Sequence, residues 1–144
     1  MIKVLVICVH NSARSQMGEE YIQKFGGDRF EVESAGLEPG VLNPYVVKVL
    51  AEDGIDISGK PTRDVFELYK AGKRYHYVIT VCSKEAAEKC PIFPGVHEKL
   101  YLPFPDPSTF RGGEDEILSG VRKVRDEIKE SMRAFVEEHR DDPF

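Results

Sequence analysis

The chain has 144 residues, 41% of them hydrophobic and 31% charged, and a formal net charge of −5. This length suits one domain over 1–144 with a core of its own, and the acidic balance argues against a general nucleic-acid binder. No apolar stretch approaches a membrane span, and Ile2–Val9 is too short for a secretory signal core. The expected location is therefore the cytoplasm, where three cysteines are catalytic, redox-active or inert rather than a disulfide framework.

Ile2–Cys8 is an apolar run broken only by Lys3, the pattern of a parallel strand buried on both faces. A helix is expected from Ser15 to Phe25, ended by Gly26-Gly27. Phe30–Ser34 alternates as a strand, with Ala35-Gly36 turning out of it. Asn43-Pro44 is a cap followed by a first-turn proline, opening a helix that runs to Glu52. A shorter helix spans Thr62 or Arg63 to Ala71, closed by Gly72. Tyr77–Val81 is a strand ending on Cys82, Ser83–Lys89 favours a helix stopped by Pro91, and Lys99–Leu102 is a short last strand. The turn Pro103-Phe104-Pro105-Asp106-Pro107 leads to a helix over Glu114–His139. There Ile117, Val121, Val124, Ile128, Met132, Phe135 and Val136 step by three and four, an apolar stripe for a core. Strands alternating with helices imply a parallel α/β sheet. Cys8, Cys82 and Asp106 all follow the carboxyl ends of strands, the edge where such sheets bind ligands.

Cys8-Val9-His10-Asn11-Ser12-Ala13-Arg14-Ser15 joins the first strand to the first helix. Amides of Val9, His10, Asn11, Ser12 and Ala13 and of the helix start can converge there on one anion. Arg14 adds a planar fork that holds two oxygens at once. Such positive surroundings favour a thiolate at Cys8. A cysteine at a strand end is also a common small core residue; Arg14, Ser15 and the helix start argue instead for attack on a tetrahedral oxyanion. His76 and His97 lack metal-ligand spacing with any cysteine, and Cys82 and Cys90 are too far apart for a zinc pattern.

With these residues the chain resembles the thioredoxin-coupled arsenate reductases built on the low-molecular-weight protein tyrosine phosphatase fold. The resemblance rests on Cys8-x5-Arg14-Ser15-Gln16-Met17, Ser34-Ala35-Gly36, Ile55-Asp56-Ile57-Ser58, Cys82 with Cys90-Pro91, Asp106-Pro107 and Val124-Arg125-Asp126-Glu127-Ile128. It implies a three-layer domain, a four-stranded parallel sheet in order 2-1-3-4 with helices on both faces. Neighbouring strands lie ~4.8 Å apart, so that order brings Cys8 near Cys82. Two positions depart from the family pattern: Ala13 stands where a second loop cysteine is frequent, and His10 where glycine is common.

The resemblance implies that the Cys8 thiolate attacks arsenate while Asp106 protonates the leaving oxygen, although Pro105-Asp106-Pro107 is also ordinary turn chemistry. Phosphate or sulfate would be analogues of the substrate. It further implies a Cys8–Cys82 disulfide, passed by Cys90 to Cys82–Cys90 and re-reduced by thioredoxin. Eight residues of unbroken helix span ~12 Å, whereas a disulfide needs α-carbons roughly 4.4–6.8 Å apart. The Ser83–Lys89 segment is therefore expected to bend or unwind when oxidised. No covalent cofactor is implied. A potassium ion is, with ligands at Asn11, Glu19, Ser34 and Asp64, each of which also has a local use in a loop, helix face, strand end or helix start.

A phosphatase of the same fold is the alternative, since it too needs Cys8, Arg14 and Asp106 but no second thiol. The phosphatases usually carry proline after the loop serine and an aromatic pair beyond Asp-Pro. This chain has Gln16, and Ser108-Thr109-Phe110. A non-catalytic oxyanion sensor is a third reading, opposed by the complete set of nucleophile, arginine and acid.

Overall fold

A computed structural model describes residues 1–144. Strand β1 (Ile2–Cys8) is buried at every position but Lys3, because it lies between two parallel neighbours. These are β2 (Phe30–Gly36) and β3 (Tyr77–Thr80), and β4 (Glu98–Tyr101) completes a four-stranded sheet in order β2-β1-β3-β4. The sheet order and its all-parallel pairing are as the resemblance implied.

Successive side chains of β1 point to opposite faces, and this alternation makes two cores. Val4, Val6 and Cys8 meet Met17, Tyr21 and Ile22 of α1 (Arg14–Gly26), Val49 and Leu50 of α2 (Pro44–Glu52), and Ile128 and Met132 of α5 (Glu114–His139). Leu5 and Ile7 meet Val65 of α3 (Val65–Lys70), Tyr75, Val78 and Phe93. Full burial of each such aliphatic side chain contributes about 1.5–3 kcal/mol, so both cores pull the central strand taut. The stripe of α5 lies in the larger core as its spacing predicts, and Arg125 ties α5 to α2 by donating to the Val49 carbonyl at 2.9 Å and to Glu52 at 2.6 Å. No helix is long and apolar enough to cross a membrane.

Several boundaries differ from the sequence reading. β2 does not turn out at Ala35-Gly36; these residues continue the ladder opposite Ile7 and Cys8. α1 begins at Arg14 instead of Ser15. α3 begins only at Val65, because the Asp64 carboxylate accepts from the Phe66 N–H at 2.8 Å and caps it there. β4 lies one residue earlier than expected.

The largest difference is between Cys82 and Cys90. Only α4 (Lys84–Ala87) is helical, capped by Ser83, whose side chain accepts from the Ala86 N–H at 3.2 Å. Beyond it, tight turns bond Lys89 N–H to Ala86 O at 3.1 Å and Cys90 N–H to Ala87 O at 3.2 Å. Pro91 disfavours helical backbone at Cys90, and a single turn has no propagation to offset the cost of its nucleus. The unbroken ~12 Å helix expected between the two thiols is therefore absent.

Candidate active site

The loop after β1 is shaped by the chain that runs beside it. The carbonyls of Cys8, Val9, His10 and Ser12 accept from the N–H groups of Leu37, Glu38, Gly40 and Asn43 at 3.3, 2.8, 3.0 and 2.9 Å. All peptides are trans, so a carbonyl turned outward leaves the next residue's N–H turned inward. The amides of Val9, His10, Asn11 and Ala13 thus face the inside of the loop. Asn11 N–H reaches the Cys8 Sγ at 3.2 Å, with Asn11 in the left-handed region at φ 53°, which asparagine tolerates. Gly36 permits this closeness: a Cβ there would stand 2.7 Å from Val9 O and 2.8 Å from Asn11 N. Helix α1 starts without a side-chain cap, since Ala13 offers none. Its first N–H groups therefore remain available to an anion.

A chain of hydrogen bonds behind the loop has a fixed direction. Asn11 Oδ1 accepts from the Arg63 backbone N–H at 2.9 Å and from Gln16 Nε2 at 3.1 Å, which identifies Nδ2 as the donor end. Nδ2 donates to Ser15 Oγ at 2.7 Å and to Ser34 Oγ at 3.0 Å. Ser34 in turn donates to Glu19 Oε1 at 2.7 Å, because a carboxylate only accepts. Ser15 is left with its proton for the Cys8 sulfur, 2.8 Å away. Asn11, Ser15, Gln16 and Ser34 are fully buried, where such bonds go uncontested by water.

Arg14 donates to Phe104 O at 3.1 Å, and its other terminal nitrogen lies 3.6 Å from Asp106 Oδ2. Asp106 Oδ1 accepts from the N–H of Ser108 at 3.0 Å and from its hydroxyl at 2.9 Å. The last turn thus carries a carboxylate to the arginine fork, on the sheet edge the sequence indicated. Cys82 follows β3 beside Cys8: Val81 N–H still donates to Ile7 O at 2.9 Å, and both thiols belong to the larger core. All three cysteines are free thiols. Burial pushes the Cys82 thiol up, Cys8 adds to this, and Arg14 opposes it. Burial also pushes Cys90 up to about 11, with Lys99 opposing. Cys90 is half-buried on the far side of α4 and lines a small cavity with Val78, Ala87 and Lys99.

His10 is exposed and bonds Glu38 O through Nδ1 at 2.8 Å, so its side chain braces the 37–43 segment. Of the four residues proposed for a cation, Asn11, Glu19 and Ser34 are bonded in one chain, while Asp64 caps α3. Lys60 Nζ stands 2.6 Å from Glu19 Oε2, and Arg63 Nη1 is 3.3 Å from Oε1. With both Glu19 oxygens and Asn11 Oδ1 already paired, these residues do not fit a potassium ion as arranged. Lys60, Arg63 and the bracing role of Gln16 were not visible in the sequence. The single signal in the sequence is the turn-forming Gly59-Lys60-Pro61. An open cleft of about 390 Å³ adjoins the loop, lined among others by Ser12, Tyr45, Pro107, Phe110 and Arg111.

A cysteine-arginine loop at the carboxyl edge of a 2-1-3-4 parallel sheet defines a class. The family model for low molecular weight phosphotyrosine protein phosphatase matches residues 3–142, and the chain belongs to that family. Within it, the chain is 40% identical over 137 residues to the arsenate reductase of Bacillus licheniformis, covering 93% of this chain and 94% of that protein. A solved arsenate reductase in the phosphate binding state superposes with a TM-score of 0.78 at 27% identity, over 96% of this chain and 98% of the other. A thioredoxin-dependent arsenate reductase from Corynebacterium glutamicum gives a TM-score of 0.60 at 29% identity, over 94% of this chain and 63% of that one.

Proposed function

We propose that this chain is an arsenate reductase that uses a relay of three thiols and takes its electrons from thioredoxin. In this reading the loop amides and Arg14 hold arsenate, and Ser15 donates to the Cys8 thiolate. The sulfur attacks arsenic, and the leaving oxygen departs as water after Asp106 protonates it. Cys82 thiolate then attacks the Cys8 sulfur. The sulfur–arsenic bond breaks and arsenic keeps its electron pair, leaving as arsenite. The two electrons come from Cys8 and Cys82, which end as a disulfide. Cys90 attacks Cys82 and frees Cys8, and a dithiol of the thioredoxin class reduces the Cys82–Cys90 bond. Such a cycle belongs in a reducing cytoplasm, where the thiols return to their starting state.

The observation that carries this reading is the second thiol: Cys82 leaves the strand next to β1 and shares the buried cluster of Cys8. A hydrolase of this design has no use for it. The arsenate reductases among its relatives support the same choice. One observation favours the phosphatase as a secondary activity. The cleft beside Ser12, with Tyr45 and Phe110 in its walls, has room for an aryl group.

The deciding experiment compares arsenate reduction, coupled to thioredoxin, with aryl-phosphate hydrolysis on one preparation. Cys82→Ser is expected to stop multiple-turnover reduction and to leave hydrolysis nearly intact. Cys90→Ser is expected to release one equivalent of arsenite and stall as a Cys8–Cys82 disulfide, seen by mass spectrometry of trapped peptides. Catalytic reduction with thioredoxin by the variant lacking both Cys82 and Cys90 would refute the relay. Brisk hydrolysis without any arsenate reduction by the wild type would make the chain a phosphatase.

A further inference from the structure

Glu19 and Lys60 form an ion pair that the reaction above leaves unused. Glu19 projects from α1 with its side chain only 13% exposed, and Lys60 is 15% exposed. The ammonium contacts Glu19 Oε2 at 2.6 Å and Glu20 Oε1 at 2.9 Å. Two neighbouring carboxylates on one helix, with side chains 13% and 22% exposed, would repel each other, and a cation between them removes that cost. Lys60 reaches this place from a turn made for it. Gly59 has φ +78°, Lys60 N–H bonds Ile57 O at 2.9 Å, and the following carbonyl, of Pro61, accepts from Gln16 at 3.3 Å. The same segment thus touches the anion-loop brace twice, through Gln16 and through Glu19.

We propose that Lys60 is the resident cation of the brace, filling with its ammonium the role the family resemblance assigns to a potassium ion. It is a positioning residue: Arg63, 36% exposed, stands on Oε1, and Lys60 is the more buried of the two cations on Glu19 and the one shared with Glu20. It holds Glu19 so that Ser34, Asn11 and Ser15 stay in line and deliver a hydrogen to the Cys8 sulfur. A tethered ammonium needs no ion from solution, so this protein works without potassium. Removing the lysine leaves a cation-sized gap between Glu19 and Glu20, and this gap would confer a dependence on potassium that the wild type lacks.

The inference rests on the brace and not on the reductase reading, and its readouts need neither arsenate nor a second thiol. The reduced 144-residue chain is melted in about 0.1 M potassium chloride and in about 0.1 M tetramethylammonium chloride, which screen equally. Wild type is expected to melt within about 1 °C in the two salts. Lys60→Ala is expected to melt about 3–6 °C lower in tetramethylammonium and to regain much of that in potassium. Iodoacetamide labelling of Cys8, followed on its own peptide, is expected to slow about threefold or more in the variant, again with recovery in potassium. Lys60→Gln takes the place of Lys60→Ala if the latter does not fold. A potassium-specific, saturable stabilisation of the wild type would overturn the proposal. So would a variant that matches wild type in both salts, or one whose losses potassium does not repair.

Discussion

The loop that carries Cys8 and the segment that joins Cys82 to Cys90 are held in opposite ways. In the loop, four carbonyls are tied to the neighbouring 37–43 segment, and four buried polar side chains fix the sulfur's donor. Between Cys82 and Cys90 there is one helical turn, a serine cap and two tight turns, with Ser83, Lys84 and Glu85 exposed. The contrast suits the two kinds of chemistry proposed above. Attack on an oxyanion requires donors already in place when charge develops. Passing a disulfide from one cysteine to the next requires backbone that rearranges at little cost, and few buried contacts mean a low local unfolding energy.

Variants that break the rigid half should have the largest effects. Cys8→Ser is expected to lower arsenate reduction, and any aryl-phosphate hydrolysis, by at least about a thousandfold. A steady-state assay of both reactions checks this, and substantial turnover would remove Cys8 from the chemistry. Asp106→Asn is expected to slow formation of the arsenic adduct by about a hundredfold or more. Anion binding, measured by calorimetry with phosphate, should change little, since no loop amide is lost.

The looser half is best probed by titration. Cys90 is pushed up to about 11 by burial, and the thiolate is the reactive form. Its alkylation should therefore rise about tenfold per pH unit from neutrality until it levels near that value. The linked effect on stability has a definite sign. The folded value lies above the roughly 8.5 of a free thiol, so the contribution is intact below that pH and is lost as pH rises through the folded value. A labelling rate that levels near pH 8.5 would show that Cys90 is already open to solvent.

Gly36→Ala tests whether the loop's rigidity depends on a close backbone approach. The added methyl would meet Val9 O at 2.7 Å and Asn11 N at 2.8 Å, and overpacking of this kind costs about 1–3 kcal/mol. Denaturant unfolding measures the loss, and turnover should fall beyond it as the amides shift. The smallest effect belongs to Tyr21→Phe, far from the loop. Tyr21 donates to Asp53 at 2.6 Å, and this bond is the main reason the Asp53 carboxyl lies below its ordinary value. Its contribution is present above roughly pH 3.9, the unfolded value, and is lost as pH falls through the lower folded one. The variant should lose about 1 kcal/mol at neutral pH and show a shallower acid limb in unfolding curves.

Local sequence signals alone were enough to place the cysteine, arginine and serine of the candidate site and the elements that carry them. Cys8, Arg14 and Ser15 follow a doubly buried strand, and continuous apolar runs, caps and a periodic stripe are local signals that survive folding. The same locality placed Cys82 and Asp106 on the carboxyl edge. α4 is shorter than its residue types suggest because good helix formers alone do not sustain a helix that Pro91 ends and that only Ala86 anchors to the core. β2 runs further than its residue types suggest because Gly36, a turn residue by type, is there to let the loop pass close. The outward turn of the loop carbonyls, the hydrogen bonds that run from Asn11 to Glu19 on one side and to Cys8 on the other, and the ammonium of Lys60 beside Glu19 emerge only in the folded chain. The carbonyl bonds join Cys8–Ser12 to residues 37–43, Asn11 to Ser34 spans 23 positions and Lys60 to Glu19 spans 41, and a hydrogen-bond partner at that separation is chosen by packing geometry, which no window of neighbouring residues contains.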